Sequence, residues 1–163
     1  MIVYDKMQQG YEYHYTAPMG RNFDPLFRPQ LSPKEILHLG VFEGHYMTDC
    51  QSEFPRDWFQ NARLSPDRPD ILQNYFHVKS RMNLSEWRNR GWIIGPDPRG
   101  WFQWYCRYYM GRRLPDIDVI QIKRWRSFRR HLGQIEKNCS PFDFSCRPRQ
   151  RQALLQWAYN PFV

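Results

Sequence analysis

Long apolar runs are missing from this 163-residue chain. No stretch approaches the roughly 18 to 20 apolar residues that cross a bilayer, which excludes a helical anchor within it. Residues 1–10 have neither a basic n-region nor an apolar h-region, so the protein is expected to be intracellular, in cytoplasm or nucleus, and not secreted. Cysteine is sparse: Cys50, Cys106, Cys139 and Cys146 are widely separated, and without an export signal they read as free thiols in a reducing compartment. There is no Gly-rich phosphate loop, no Gly-x-Ser-x-Gly elbow and no His-Glu-x-x-His, so the enzyme classes those motifs announce find no support. Repeats and low-complexity tracts are absent, and the proline-containing stretches are too short to be linkers between domains.

Lysine is scarce too, and here the absence points somewhere. Of 24 basic residues only five are lysine and nineteen are arginine, against 16 acidic residues, for a net charge of +8. Residues 1–80 carry 8 basic and 10 acidic side chains, whereas residues 81–163 carry 16 basic and 6 acidic, so the positive field belongs to the second half. Such asymmetry suggests a side that faces a polyanion. Arginine's planar fork suits phosphates and guanine edges and stacks on aromatic rings, which make up 17% of the chain. The alternative is that arginines and aromatics pack on one another inside a structural protein.

Residues 1–31 read as an extended arm. Ile2, Val3 and Tyr4 precede a Gln-Gln-Gly break, after which Tyr11, Tyr13 and Tyr15 alternate with polar residues at the strand period, predicting a hairpin that lies on the body or on a partner. Residues 32–163 read as a helical domain. Ser32-Pro33-Lys34-Glu35 supplies an N-cap, a first-turn proline and a capping-box glutamate for a helix that stops at Gly40. Short elements follow near residues 55–62, around Trp58 and Phe59, at residues 71–78, and from Asn83 to Gly91 with Trp87 as its anchor. Residues 101–110 form a helix that is apolar nearly all round, hence central and buried; a base-stacking platform is the rival reading.

The longest periodic segment, residues 116–137, predicts one helix with Ile122, Trp125, Phe128, Leu132 and Ile135 on one side. Lys123, Arg126, Arg130 and Lys137 fall opposite, with Arg124 and Arg129 flanking the apolar stripe. That row of cations repels itself by a few tenths of a kcal/mol per pair, and an anionic partner would relieve it. The last helix, residues 148–159, has Arg147, Arg149 and Arg151 crowding its positive pole, where either a phosphate or Asp143 and Glu136 would neutralise them.

Two likenesses attach to these segments. Residues 121–130 resemble a homeodomain recognition helix in their Gln, Lys, Trp and paired Arg positions. Phe128, however, stands where that family places its adenine-reading asparagine, so no homeodomain is expected. Residues 97–125, with Asp97-Pro98-Arg99-Gly100-Trp101-Phe102-Gln103-Trp104-Tyr105-Cys106-Arg107-Tyr108-Tyr109, then Gly111-Arg112-Arg113 and Gln121-Ile122-Lys123-Arg124-Trp125, resemble the signature of a set of small conserved proteins with no assigned activity. That resemblance implies kinship and no residue role.

The expected protein is therefore mainly α, a single compact multi-helix domain with an extended N-terminal arm. Its expected function is nucleic-acid binding, DNA before RNA because no RNA-module signature is present. Lys123, Arg126 and Arg130 would contact phosphates, and Arg112, Arg113, Arg147, Arg149 and Arg151 would extend the basic surface. Two other classes stay open: an enzyme acting on nucleic acid or nucleotides, with His45, Asp49 and Cys50 at the chemistry, and a structural subunit whose arm and basic face meet a protein partner. No cofactor is expected. Zinc would require His45, Cys50, Cys139 and Cys146 to converge, and their spacing is unlike the close Cys pairs of zinc motifs.

Overall fold

The computed structural model describes all 163 residues, most of its regular structure being α-helix. Its strands, β1 (Ile2–Tyr4) and β2 (Gln9–Glu12), form one antiparallel hairpin with Val3 opposite Tyr11. The helices are α1 (Pro33–Leu39), α2 (Arg56–Gln60), α3 (Leu84–Asn89), α4 (Trp101–Met110), α5 (Pro115–Ser127), α6 (Arg129–Asn138) and α7 (Pro148–Gln156). None is long and apolar enough to cross a membrane.

Local signals set several of these ends. Ser32 accepts from the Glu35 amide while the Glu35 carboxylate takes the Ser32 amide, the reciprocal pair that starts α1. Asn83 caps α3 through the Glu86 amide at 2.9 Å. At α5, Pro115 occupies the first turn and Asp118 reaches back to the Leu114 amide at 2.8 Å, so this carboxylate acts as a cap as well as a favourable charge at the positive pole.

α4 is the axis of the core. Every side chain from Trp101 to Tyr108 is buried, and the polar tips of its aromatics are satisfied: the Trp104 indole donates to Asp118 at 2.8 Å and the Tyr105 hydroxyl to the Leu31 carbonyl at 2.7 Å. Those eight buried positions fit a core helix and leave no open platform for bases. Phe27 comes from the arm and is 1% exposed, wedged among Trp101, Trp104, Tyr105, Tyr108 and Trp125 at 5.0–6.4 Å between ring centres. The arm is thus part of the core. Its backbone is clipped to the end of α4 by the Thr16 and Ala17 amides on the Gly111 carbonyl. Gly111 has φ 122°, and a Cβ there would lie 2.1 Å from the Ala17 oxygen, so only glycine fits.

Four expectations require correction. Residues 116–137 are not one helix: the segment breaks at Phe128, whose amide bonds to Trp125 and whose carbonyl receives His131, both at the tight three-residue spacing. Ser127 explains part of the break, because its hydroxyl donates to the Arg124 carbonyl at 2.7 Å and competes with the helical ladder. Phe128 then lies flat on Trp157, 4.0 Å between ring centres. Residues 71–78 yield only a 3₁₀ turn, Ile71–Gln73, with Ile71 and Leu72 exposed, since too little apolar surface is buried there to hold a longer helix. The last helix stops at Gln156 rather than Tyr159; Ala158, at φ 62°, turns the chain away. Finally, Cys139 and Cys146 are joined in a disulfide across the turn between α6 and α7, so only Cys50 and Cys106 are free thiols, both buried.

Candidate nucleic-acid interface

The arginines of the second half divide into two populations. Asp97, fully buried where the turn enters α4, accepts from Arg107 at 2.9 Å and from Arg112 at 2.7 and 2.8 Å. Glu53 grips Arg107 through both oxygens, at 2.6 and 3.0 Å, and receives the Tyr13 hydroxyl at 2.8 Å. Arg99 is held by Asp5 of the hairpin turn and by Asp49, and Arg81 by the buried Glu43 at 2.6 Å. Burial alone would lower the pKa of Arg99, Arg107 and Arg112. Their carboxylate partners more than reverse that, and all three are raised. These are the structural arginines, neutralised mostly by acids of the first half.

Arg112, expected on the basic surface, belongs to this buried set. Arg151 is buried as well: its guanidinium is folded back onto the carbonyls of Cys146, Pro161 and Val163, and burial lowers its pKa. A guanidinium with five donors can close a chain end by collecting carbonyls, and that use is invisible to a count of charges. Arg113 is half-buried, stacked on Tyr108 with its carbon 3.7 Å from the ring centre and bonded to the Tyr108, Arg112, Arg21 and Asn22 carbonyls.

Lys123, Arg126, Arg130, Arg147 and Arg149 are exposed as expected, and Arg129 joins them. None has a carboxylate within 4.0 Å. Asp143 forms no direct ion pair at the start of α7; it is turned to the Ser145 hydroxyl and amide, which, with the nearby charge of Arg151, hold its carboxyl below the usual range. The positive field of α5–α7 is left open to solvent.

Residues 43–50 do not assemble a thiolate site. Cys50 is buried, its thiol directed to the Met47 carbonyl at 3.4 Å, and burial pushes its pKa up to about 12. His45 turns Nδ1 to the Ser65 carbonyl at 3.2 Å, and Asp49 is engaged with Arg99. The four candidate zinc ligands do not converge, since Cys139 and Cys146 are spent on each other; no group of three metal-binding side chains forms anywhere.

Sequence reasoning missed a cavity of about 1100 Å³ between the 42–49 turns, the segment carrying α3, the α5–α6 break and α7. One wall is aromatic, with Phe42, Tyr46, Trp87, Trp92 and Phe128. Its cations include Lys6, Lys79, Arg124, Arg130 and Arg149, none with an acidic partner. The lining holds a single carboxylate, Asp49, already paired to Arg99. Arg124 is the most telling of these. It is half-buried, 5.7 Å from the rings of both Trp87 and Trp157, and one of its terminal nitrogens donates to the Trp92 carbonyl and the Gln121 side chain. Burial lowers its pKa and nothing raises it. Its place flanking the apolar stripe was the available signal, because a cation at the border of a buried face is often half-enclosed. Comparison of the chain with known protein families, curated proteins and solved structures finds no match.

Proposed function

We propose that this protein binds nucleic acid, duplex DNA in the first instance, through the exposed cations of α5, α6 and the start of α7. The observation that carries the reading is the sorting of charge. Arg81, Arg99, Arg107 and Arg112 receive carboxylates and the buried Arg151 receives backbone carbonyls, while the exposed Lys123, Arg126, Arg129, Arg130, Arg147 and Arg149 receive no carboxylate. Lys123 and Arg126 stand on α5 and Arg130 in the first turn of α6, so the proposed cationic row spans the Phe128 break and is offered to a phosphate backbone from both sides of it. With Phe128 turned into the aromatic stack, the asparagine-type base contact of a recognition helix has no counterpart, and the binding is expected to be governed by phosphates rather than by sequence. An intracellular location goes with such a partner.

Titration of duplex DNA at several salt concentrations tests this. If about four phosphates are neutralised, log K falls against log salt with a slope of about −4, and replacing Lys123, Arg126 and Arg130 by Ala together flattens it by nearly 3. A slope unchanged in the triple variant removes this face from the interface.

A further inference from the structure

The cavity beside the cationic row has a chemistry that the row alone does not use. An aromatic wall needs no ligand in itself, since tryptophans stack readily in cores. Here, though, the wall is incomplete as a core. Trp87 and Phe128 are half-buried, Trp92 is 37% exposed, and all three border an open space of about 1100 Å³. That is about the upper end of the volumes that hold cofactors and nucleotides. Over the same space stands Arg124, desolvated by the tryptophans and lacking the carboxylate that Arg99, Arg107 and Arg112 possess, and without the three backbone carbonyls that hold the buried Arg151. The lining adds Lys79, Arg130 and Arg149, all three exposed. Planar apolar surface and uncompensated positive charge, set side by side in one cleft, match a ligand that is itself half planar ring and half anion.

We infer that this cleft binds a nucleoside phosphate, its base lying along the aromatic wall and its phosphate taken by Arg124 with Arg130 and Arg149. Base-on-aromatic stacking tolerates any base, so selectivity comes from the phosphate and not from ring identity. Arg124 supplies the forked donor that phosphate oxygens accept, and its nitrogens not bonded to Trp92 and Gln121 remain for that purpose. The ligand chemistry is shared by a free nucleotide and by the unpaired, phosphorylated end of a strand. The inference deepens the nucleic-acid reading, because Arg130 belongs both to the row and to the cleft.

Calorimetry and tryptophan emission with adenosine 5′-monophosphate, adenosine and inorganic phosphate separate the contributions of ring and anion. The nucleotide is expected to bind more tightly than either fragment, and Arg124→Gln to weaken it by about tenfold, as the loss of a charged hydrogen bond does. Arg124→Lys, which keeps the charge and loses the fork, falls between them, and circular dichroism identifies any variant that has unfolded. Trp87→Phe retains a stacking surface and guards against a collapse caused by Trp87→Ala. A 5′-phosphorylated dinucleotide that binds more tightly than the monophosphate identifies a strand end as the occupant; equal affinities identify a free nucleotide. No binding of the monophosphate or the dinucleotide up to about 10 mM, or equal affinity in folded wild type and Arg124→Gln, overturns the inference. Blunt duplex is titrated in parallel: Arg124→Gln leaves its affinity within about twofold, whereas the triple variant of the row reduces it. Failure of the cleft and failure of the row are therefore read on different ligands.

Discussion

Arg107, three residues after Trp104, and Arg124, next to Trp125, lie on successive long helices and meet opposite fates. Arg107 is enclosed by Glu53, Asp97 and Gln8, with the rings of Tyr11 and Tyr13 above it at 5.1 and 5.4 Å. Arg124 is enclosed by tryptophans and a carbonyl, with no acid beside it. The pKa of the first is raised and that of the second lowered, and the difference is the presence of carboxylates rather than the depth of burial. The pattern extends to the regions around them. Around α4 the chain commits acids from residues 5, 43, 49, 53 and 97 to fixed cations, which serves the fold; along α5–α7 it commits none, which leaves the cations for something else.

The sharpest break of that contrast is Asp97→Ala. It strips Arg107 of one partner and Arg112 of its only carboxylate while both stay buried. Leaving a buried charge without its partner costs about 3 to 5 kcal/mol, so urea unfolding should show a loss of that order or an unfolded protein. A loss under about 1 kcal/mol would mean that water reaches these arginines and that the two regions are not so different.

How far the residues themselves announced this division depends on the kind of signal. Ser32 with Glu35, and Asn83 with Glu86, announced helix starts because capping is local chemistry. The dense aromatic content of α4 announced the core. Asp97, Arg99, Arg107, Gly111 and Arg112, close together along the chain, hold the arm to the body or bind one another. Arg112 and Arg151 were misplaced because their burial depends on partners 15 and 10 residues away, or on a chain end folding back, and neither leaves a periodic trace. The break at Phe128 is owed in part to one serine hydroxyl choosing a carbonyl. The cleft drew on segments from residue 6 to residue 157, and no window along the chain contains it.

Acid should weaken the ionic network around α4. Burial pushes the Asp5 carboxyl up, but Arg99 and the Met7 and Gln8 amides outweigh it and hold it below the usual value. A folded value below the unfolded one, about 3.9, means that the stabilisation is complete above that pH and is lost as pH falls through the folded value. The urea midpoint should decline as pH drops from about 5 to about 3, and Asp5→Asn should flatten that part of the profile while lowering the midpoint at neutral pH. A decline that persists unaltered in Asp5→Asn assigns acid sensitivity to other carboxylates.

The smallest effect, and the one most specific to the open face, is expected for Arg126→Ala. Arg126 is exposed, makes no ion pair, and sits three and four residues from Lys123 and Arg130. Removing it relieves like-charge repulsion of a few tenths of a kcal/mol, and alanine is the better helix former by a similar margin. These gains offset the lost attraction of a last-turn cation to the negative pole of α5, so stability should change by no more than a few tenths of a kcal/mol. Salt separates charge from propensity. The repulsion and the attraction to the pole are both screened, and their net effect should shrink between about 0.05 and about 1 M salt, whereas the propensity gain should not. A larger loss of stability on this substitution would mean that Arg126 has a partner within the fold, and the cations of α5–α6 would then belong with Arg107 rather than with Arg124.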